Sequence, residues 1–288
     1  MSLHLIEGLW QADYRVILQN VANMGGADLI FTSPPYCDAR TYNNAVDWKL
    51  EDYQALGDAV FAALKPGGQC LLNLDAPVRE WRKGMGSERG FHPWKVMLDW
   101  AERIGFRVPD RLAYGRMGQV GKFSGRFRND WEPLLWFEKP GAKGYVDPSA
   151  IAVAAKPYAT RKAKSRQKDG TFSHLREKAP PTVRYPGTLW NYGSITRGHD
   201  LLALTDTQHP ARFSLRLARD VVRVFCPPGG LVCDPFLGSG TTMLASLEFD
   251  RRFAGGDAFA RMQDDMPWID VARHVATEHF SQLKLGVV

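Results

Sequence analysis

The chain is 288 residues long with 44% hydrophobic content, enough to bury a full core as one large α/β domain carrying an insertion. Its formal net charge of +6 fits a polyanionic partner without requiring one. Cys37, Cys70, Cys226 and Cys233 form no C-x-x-C pair and no histidine cluster stands at ligand spacing, which argues against a disulfide framework or a metal site such as zinc; no run of about 18 apolar residues and no secretory leader is present, so a reduced, cytoplasmic protein is expected.

In chain order, the apolar run 28–31 reads as a buried parallel strand that delivers Thr32-Ser33-Pro34-Pro35-Tyr36. A loop rich in Asp, Arg and Asn follows (38–47), then a helix over 52–64 with Tyr53, Leu56, Val60, Phe61 and Leu64 at helical spacing, stopped by Lys65-Pro66-Gly67-Gly68. Residues 70–74 predict a strand, 92–104 a helix, and 106–114 and 131–137 further strands.

From about 140 to 185 this alternation breaks. Lys156, Arg161, Lys162, Lys164, Arg166, Lys168, Arg176, Lys178 and Arg184 face only Asp169 and Glu177, and apolar residues are sparse, so the segment reads as an inserted arm without a core of its own. It is either a solvated basic loop or an element that contacts phosphates, mobile when free and ordered on a duplex.

Ser214 is suited to cap an amphipathic helix through Phe225, and Pro227-Pro228-Gly229-Gly230 leads into a strand over 231–233. That strand delivers Asp234-Pro235-Phe236-Leu237-Gly238-Ser239-Gly240-Thr241-Thr242, followed by a helix over 241–249, a strand over 252–256 ending at Asp257, and a helix over 259–280 interrupted by Pro267. Alternating strands and helices predict an α/β fold with a mostly parallel sheet. Both motifs then sit at strand ends, the edge where open α/β sheets bind ligands, and are expected to share one pocket.

The Gly238-Ser239-Gly240 turn allows close backbone approach by a ligand, and Asp257 lies 23 residues after Asp234, near the spacing at which a carboxylate meets ribose hydroxyls in dinucleotide folds. Alone, the turn reads more readily as structural than as a ligand site; without a lysine it suits a nucleoside better than a phosphate chain. Ser33-Pro34-Pro35-Tyr36 reads as a rigid turn, a polyproline segment, or a site whose hydroxyl and carbonyls accept hydrogen bonds from a planar NH₂-bearing group stacked on the tyrosine ring.

Together and in this order, the two motifs resemble those of the β class of S-adenosylmethionine-dependent DNA amino-methyltransferases, and the resemblance covers nearly the whole chain. It implies a circularly permuted, Rossmann-like methyltransferase sheet: residues 1–139 form the catalytic half, 140–200 a basic insertion serving target recognition, and 201–288 the cofactor half. By resemblance, Asp234, Pro235, Phe236, Gly238 and Gly240 surround the methionine part of S-adenosyl-L-methionine, Thr241 caps the next helix, and Asp257 holds the ribose. Ser33, Pro34, Pro35 and Tyr36 match the catalytic positions that receive a flipped base, with Tyr42 and Trp48 as aromatic neighbours closing over it. Lys162, Lys164, Arg166 and Lys168 are the expected DNA contacts, with Asn191, Tyr192 and Arg197 as base-contact candidates.

His209-Pro210 resembles the family's segment before the cofactor motif, but Ser214 stands where many members have proline. Gly8-Leu9 replaces the usual Gly-Asp, with Asp13 the nearest carboxylate. The implied partner is double-stranded DNA, in company with a restriction endonuclease where one is cognate, for a monomer or dimer at the nucleoid. Serine in the catalytic motif favours cytosine N4 over adenine N6; an idle DNA-binding protein is the alternative of a different class. Methylation at ring carbon would need a cysteine thiolate, and Cys37 reads as a small core or loop residue.

Overall fold

The computed structural model describes residues 2–36, 48–76, 78–80, 87–115, 127, 129–155, 161–173, 176–178, 181–192, 214–259 and 266–285. Strand β1 (Ile6–Trp10) leads to α1 (Tyr14–Asn23), whose first turn is capped by the Asp13 carboxylate accepting from the Arg15 backbone N–H. β2 (Ala27–Thr32), α2 (Leu50–Ala63) and β3 (Leu64–Asn73) follow. The small strands β4 (Val78–Glu80) and β5 (Ser87–Arg89) precede α3 (His92–Asp99), which runs on through a π turn at Trp100–Ile104. β6 (Arg111–Gly115) and β7 (Trp131–Glu138) complete the N-terminal part.

The inserted region contains β8 (Val153–Ala154), β9 (Arg161–Ala163), β10 (Arg176–Lys178), β11 (Val183–Arg184) and β12 (Leu189–Asn191). The C-terminal part is α4 (Leu215–Phe225), β13 (Leu231–Asp234), α5 (Thr241–Glu248), β14 (Arg252–Gly256) and α6 (Trp268–Leu285). No helix among the described residues is long and apolar enough to cross a membrane.

Eight strands form one sheet in the order β1-β14-β13-β2-β3-β7-β6-β12. All run parallel except β7, which pairs antiparallel with β3 and β6. Along β2 and β13 the side chains alternate between two cores. Leu29, Phe31 and Val232 join α4, α5 and α6 on one face, whereas Ile30, Leu231 and Cys233 join α1, α2 and α3 on the other. Apolar runs buried on both faces are the signature of a parallel sheet covered by helices, which is why these strands were legible as near-continuous hydrophobic stretches.

Four elements differ from the sequence expectation. The Lys65-Pro66-Gly67-Gly68 helix stop is itself part of β3, which bulges so that Ala27 pairs with Leu64 and Leu29 with Gln69; Gly67 takes a φ of +77° there. The strand expected over 106–114 is shortened to β6, since Pro109 lacks the N–H that a ladder needs. α6 starts after Pro267 rather than continuing through it, and residues 260–265 lie outside the described set.

The fourth difference is the inserted arm. β8 pairs with β11, β9 pairs with β10, and Arg166 faces Phe172 nearer the turn, so the basic segment takes the form of nested rungs of an antiparallel ribbon. Its ends are not free of the core: β12 extends the main sheet beside β6, and Val146 and Ile151 pack against the cluster under α4.

Candidate active site at the carboxyl edge of the sheet

β13 and β2 are neighbours in the sheet although about 200 residues separate them in the chain. From β2 the chain proceeds to β3 on one side, and from β13 to β14 on the other. The gap between their carboxyl ends is therefore the crevice where open α/β sheets bind ligands. Both sequence motifs leave their strands at this point. The Thr32 hydroxyl donates to Asp234 Oδ1 at 2.6 Å, tying the first motif to the second.

Asp234 is 2% exposed, and its carboxylate is consumed by the fold. Oδ1 also accepts from the Phe236 N–H at 3.0 Å, and Oδ2 accepts from the Thr242 hydroxyl at 2.7 Å. Burial pushes its pKa up to about 6, against the downward pull of the Thr32, Thr242 and Phe236 hydrogen bonds. The side chain holds the Pro235–Gly240 turn against β2 and α5, so it shapes the crevice instead of projecting into it. Pro235 follows it in the turn, and the Phe236 ring packs on Tyr14 and Trp48 at centroid distances of 5.5 and 5.4 Å.

Gly238 and Gly240 both have positive φ, +49° and +86°, and a Cβ on Gly240 would lie 2.7 Å from the Ala272 Cβ of α6. Gly240, not Thr241, is the N-cap of α5; Thr241 is already its first helical residue and is buried, which corrects the expected capping role. Left-handed backbone at the cap excludes a β-branched residue, so glycine takes the cap and the helix begins at Thr241, one residue earlier than a Thr241 cap would place it.

Asp257 directly follows β14 beside this turn and is 7% exposed. Its two oxygens accept from the Gly238 and Phe259 N–H groups, both at 2.9 Å, and burial pushes its pKa up to about 6. Each oxygen keeps a lone pair for a further donor such as a ribose hydroxyl. The Ser239 hydroxyl in the same turn is buried without a hydrogen-bond partner among the described residues, as is that of Tyr14 next to Phe236. Unpaired polar atoms in a glycine turn at a sheet crevice fit a polar ligand that completes them. Asp13, the alternative to the missing Gly-Asp carboxylate, is exposed and spent on capping α1 and pairing with Arg15 at 3.2 Å.

On the other side of the crevice, Ser33-Pro34-Pro35-Tyr36 emerges from β2. The Pro35 carbonyl accepts from the Tyr53 hydroxyl of α2 at 2.7 Å, which fixes the turn, whereas the Pro34 carbonyl takes no hydrogen bond from the described residues. The Ser33 and Tyr36 hydroxyls lie 3.5 Å apart. Tyr36 Oη also lies 3.4 Å from Glu132 Oε2, which accepts from Asn73 Nδ2 at 3.2 Å. Both contacts are at the long end of hydrogen-bond range.

Glu132 and Asn73 were missed by sequence reasoning. Glu132 is 4% exposed and stands second in β7, whose reversed direction places its first residues at the edge where the parallel strands end. The available signal was an acid inside an otherwise apolar strand. Asp75 lies beyond β3 and pairs with Arg89 at 2.7 Å and Asn129 at 3.1 Å, and burial raises its pKa.

Several expected residues are placed elsewhere. Trp48 is a core residue, packed on Tyr14 at 5.6 Å and Tyr53 at 5.1 Å, and cannot close over a base. Tyr192 donates to Asp220 of α4 at 2.9 Å and packs on Tyr114, so its hydroxyl is unavailable for base contact; Asn191 ends β12 on the exposed side. Ser214 caps α4 as expected, accepting from the Arg216 N–H at 3.1 Å. Lys164, Arg166 and Lys168 are exposed on the ribbon, and Lys162 pairs through its backbone with Glu177. Cys37, Tyr42, Arg197, His209 and Pro210 lie outside the described residues. Cys70, Cys226 and Cys233 are buried, and burial pushes all three thiols up, so none is a thiolate at neutral pH.

Residues 27–263, which span both motifs, match the N6/N4 methyltransferase family, described as DNA methylase. The chain belongs to this family. It is 26% identical over 258 residues to the type II methyltransferase M.BglII of Bacillus subtilis, covering 86% of this chain but 63% of that protein's length. Its fold is shared with PvuII DNA methyltransferase (cytosine-N4-specific), at a TM-score of 0.63, 17% identity and coverage of 96% of this chain and 91% of the other. A complex of M1.HpyAVI with SAM gives a TM-score of 0.56 at 20% identity, covering 93% and 98% of the two chains.

Proposed function

We propose that this chain transfers the methyl group of S-adenosylmethionine to the exocyclic amino group of a base flipped out of duplex DNA, with cytosine N4 preferred to adenine N6. The observation that carries this reading is the junction at Thr32 and Asp234, which sets a Ser-Pro-Pro-Tyr turn beside a glycine-rich turn across one crevice. Family membership supports the reaction class, and the SAM complex of a protein of the same fold supports the cofactor.

S-adenosylmethionine supplies an electrophilic methyl on a sulfonium. The turn from Asp234 through Thr241 would hold it, with the lone pairs of Asp257 on the ribose and the Ser239 hydroxyl on a further polar group. Ser33 Oγ and the Pro34 carbonyl accept the protons of the amino group, drawing its lone pair out of conjugation with the ring. With the cofactor bound, the methyl carbon–sulfur bond would break as the carbon–nitrogen bond forms, the neutral thioether S-adenosylhomocysteine would be the leaving group, and the methylated, cationic nitrogen would lose one proton to solvent. Tyr36 stacks on the flipped base and offsets part of an extrusion cost of a few kcal/mol. Glu132 and Asn73 steer the Tyr36 ring. No enzyme-bound covalent intermediate is needed, consistent with the buried, protonated state of the described thiols.

The cytosine preference rests on Ser33, a neutral hydroxyl where an aspartate would accept more strongly, and a protein of the same fold is named as cytosine-N4-specific. The family itself covers both N4 and N6 products. We assign residues 1–139 to the catalytic half, 140–200 to target recognition and 201–288 to the cofactor half, with the cations of the ribbon on DNA phosphates. Mass spectrometry of nucleosides from duplex DNA incubated with protein and S-adenosylmethionine tests the proposal. N4-methylcytosine is expected, N6-methyladenine in its place would move the assignment to adenine, and no methylated nucleoside would refute the reading.

A further inference from the structure

We propose that the tip of the inserted ribbon, residues 164–173, enters the major groove of duplex DNA, with Lys164 and Arg166 on phosphates and Gln167 reading a base edge. The proposal rests on the DNA-methyltransferase reading and goes further, since it separates the residues that position the duplex from the residue that specifies its sequence.

The backbone of the tip defines two faces. The Ser173 N–H donates to the Ser165 carbonyl at 2.8 Å and the Gln167 N–H donates to the Thr171 carbonyl at 2.7 Å, so Arg166 and Phe172 oppose each other between two hydrogen-bonded pairs. The pleat then puts Arg166 and Phe172 on one face and Ser165, Gln167, Thr171 and Ser173 on the other, with Lys164 joining Arg166 by the period of two. Asp169 and Gly170 close the turn; Gly170 has a φ of +86°, and Asp169 Oδ1 accepts from both the N–H and the hydroxyl of Thr171.

The faces differ in chemistry. One carries Lys164, Arg166 and the Phe172 ring, which is 65% exposed. The other is uncharged, and most of its polar groups are already engaged. The Thr171 hydroxyl donates to Asp169, and the Ser173 hydroxyl accepts from the Ser165 N–H at 2.8 Å. The Gln167 carboxamide is exposed and makes no hydrogen bond with the described residues, so its donor and acceptor are both available.

The shape selects the groove. A two-stranded ribbon fits the B-DNA major groove, about 12 Å wide, whereas the undeformed minor groove, about 6 Å wide, is too narrow for it. Inside the major groove, a glutamine carboxamide can pair bidentately with adenine N6 and N7, while Lys164 and Arg166, on the opposite face of the same strand, reach for the flanking phosphates. Asp169 is the one carboxylate of the tip against Lys164, Arg166 and Lys168, and its hydrogen bonds to Thr171 hold its pKa below the usual range. A permanent negative charge at the apex keeps the turn away from phosphates and leaves the strand carrying Arg166 and Gln167 to make the contacts.

The experiment uses the full chain as wild type, Gln167→Ala and the double variant Lys164→Ala/Arg166→Ala. Each is given a randomised duplex library with S-adenosylmethionine, and methylated sites are read by sequencing. Duplex binding is measured against salt, and dimethyl sulfate protection distinguishes guanine N7 in the major groove from adenine N3 in the minor groove. Gln167→Ala should lower discrimination at one base position by about 5- to 150-fold, the range one bidentate contact supplies.

The double variant should lower the slope of log affinity against log salt by about two while leaving the site preference intact. Unchanged preference in Gln167→Ala, an unchanged salt slope in the double variant, or protection confined to adenine N3 would each overturn the proposal. If the wild type methylates no duplex, the parent reading fails, and the ribbon is still judged by the binding and protection measurements.

Discussion

Replacing Asp257 with asparagine sets two effects of burial against each other. At pH 8 the wild-type carboxylate is charged while nearly enclosed, and its pKa lies at about 6 against 3.8 for an unperturbed aspartate. The folded protein therefore binds this proton more tightly than the unfolded chain. The resulting contribution to stability is largest below about pH 3.8 and is lost as pH rises through about 6. Two pH units correspond to about 3 kcal/mol in full, of which about 1 kcal/mol appears between pH 8 and pH 5.

Asparagine removes the charge but loses one of the two hydrogen bonds from Gly238 and Phe259, setting an NH₂ against an N–H at a cost of about 1–3 kcal/mol. At pH 8 these terms nearly cancel, so the variant should be about as stable as the wild type. Urea melts at pH 8 and pH 5 should show the wild type gaining about 1 kcal/mol on the variant as pH falls. Stability curves that stay parallel over this range would refute the reasoning. Calorimetry at pH 8 should show S-adenosylmethionine binding weakened by about 10- to 150-fold, the worth of one charge-assisted hydrogen bond; unchanged affinity would assign the ribose to another group.

Thr32→Val keeps the shape of the strand end but removes the donor to Asp234, and should cost about 1.5–3 kcal/mol in chemical denaturation, with a matching loss of cofactor affinity if the junction organises the crevice. Glu132→Gln should lower kcat by about 10-fold or more while leaving cofactor affinity unchanged, as expected if the carboxylate acts through Tyr36; equal losses in both would point to a general structural role. Gly240→Val forces a β-branched residue to a φ of +86° with its Cβ against Ala272, and should abolish cofactor binding and lower the melting temperature. Tight binding by a folded Gly240→Val protein would contradict the placement of the turn.

The class of fold, the position of both motifs at strand ends, and the helices that cover the sheet were legible in the amino-acid order, because these follow from hydrophobic period and turn chemistry within a few residues. The apolar runs before Thr32 and Asp234, the Ser214 cap and the Asp257 strand end all belong to this local code. What needed tertiary structure was every choice made by pairing across long separations. Only the sheet order sets Thr32 against Asp234 and shows the Asp234 carboxylate occupied by three donors instead of open to a ligand. Only the antiparallel run of β7 brings Glu132 under Tyr36. Trp48 looks like any exposed loop aromatic until Tyr14, Tyr53 and Phe236 are seen to enclose it. The basic arm is the converse case. Its charges were plain in the sequence, but charge repeats say nothing of pairing register, and only the rungs from β8 to β11 show which residues share a face.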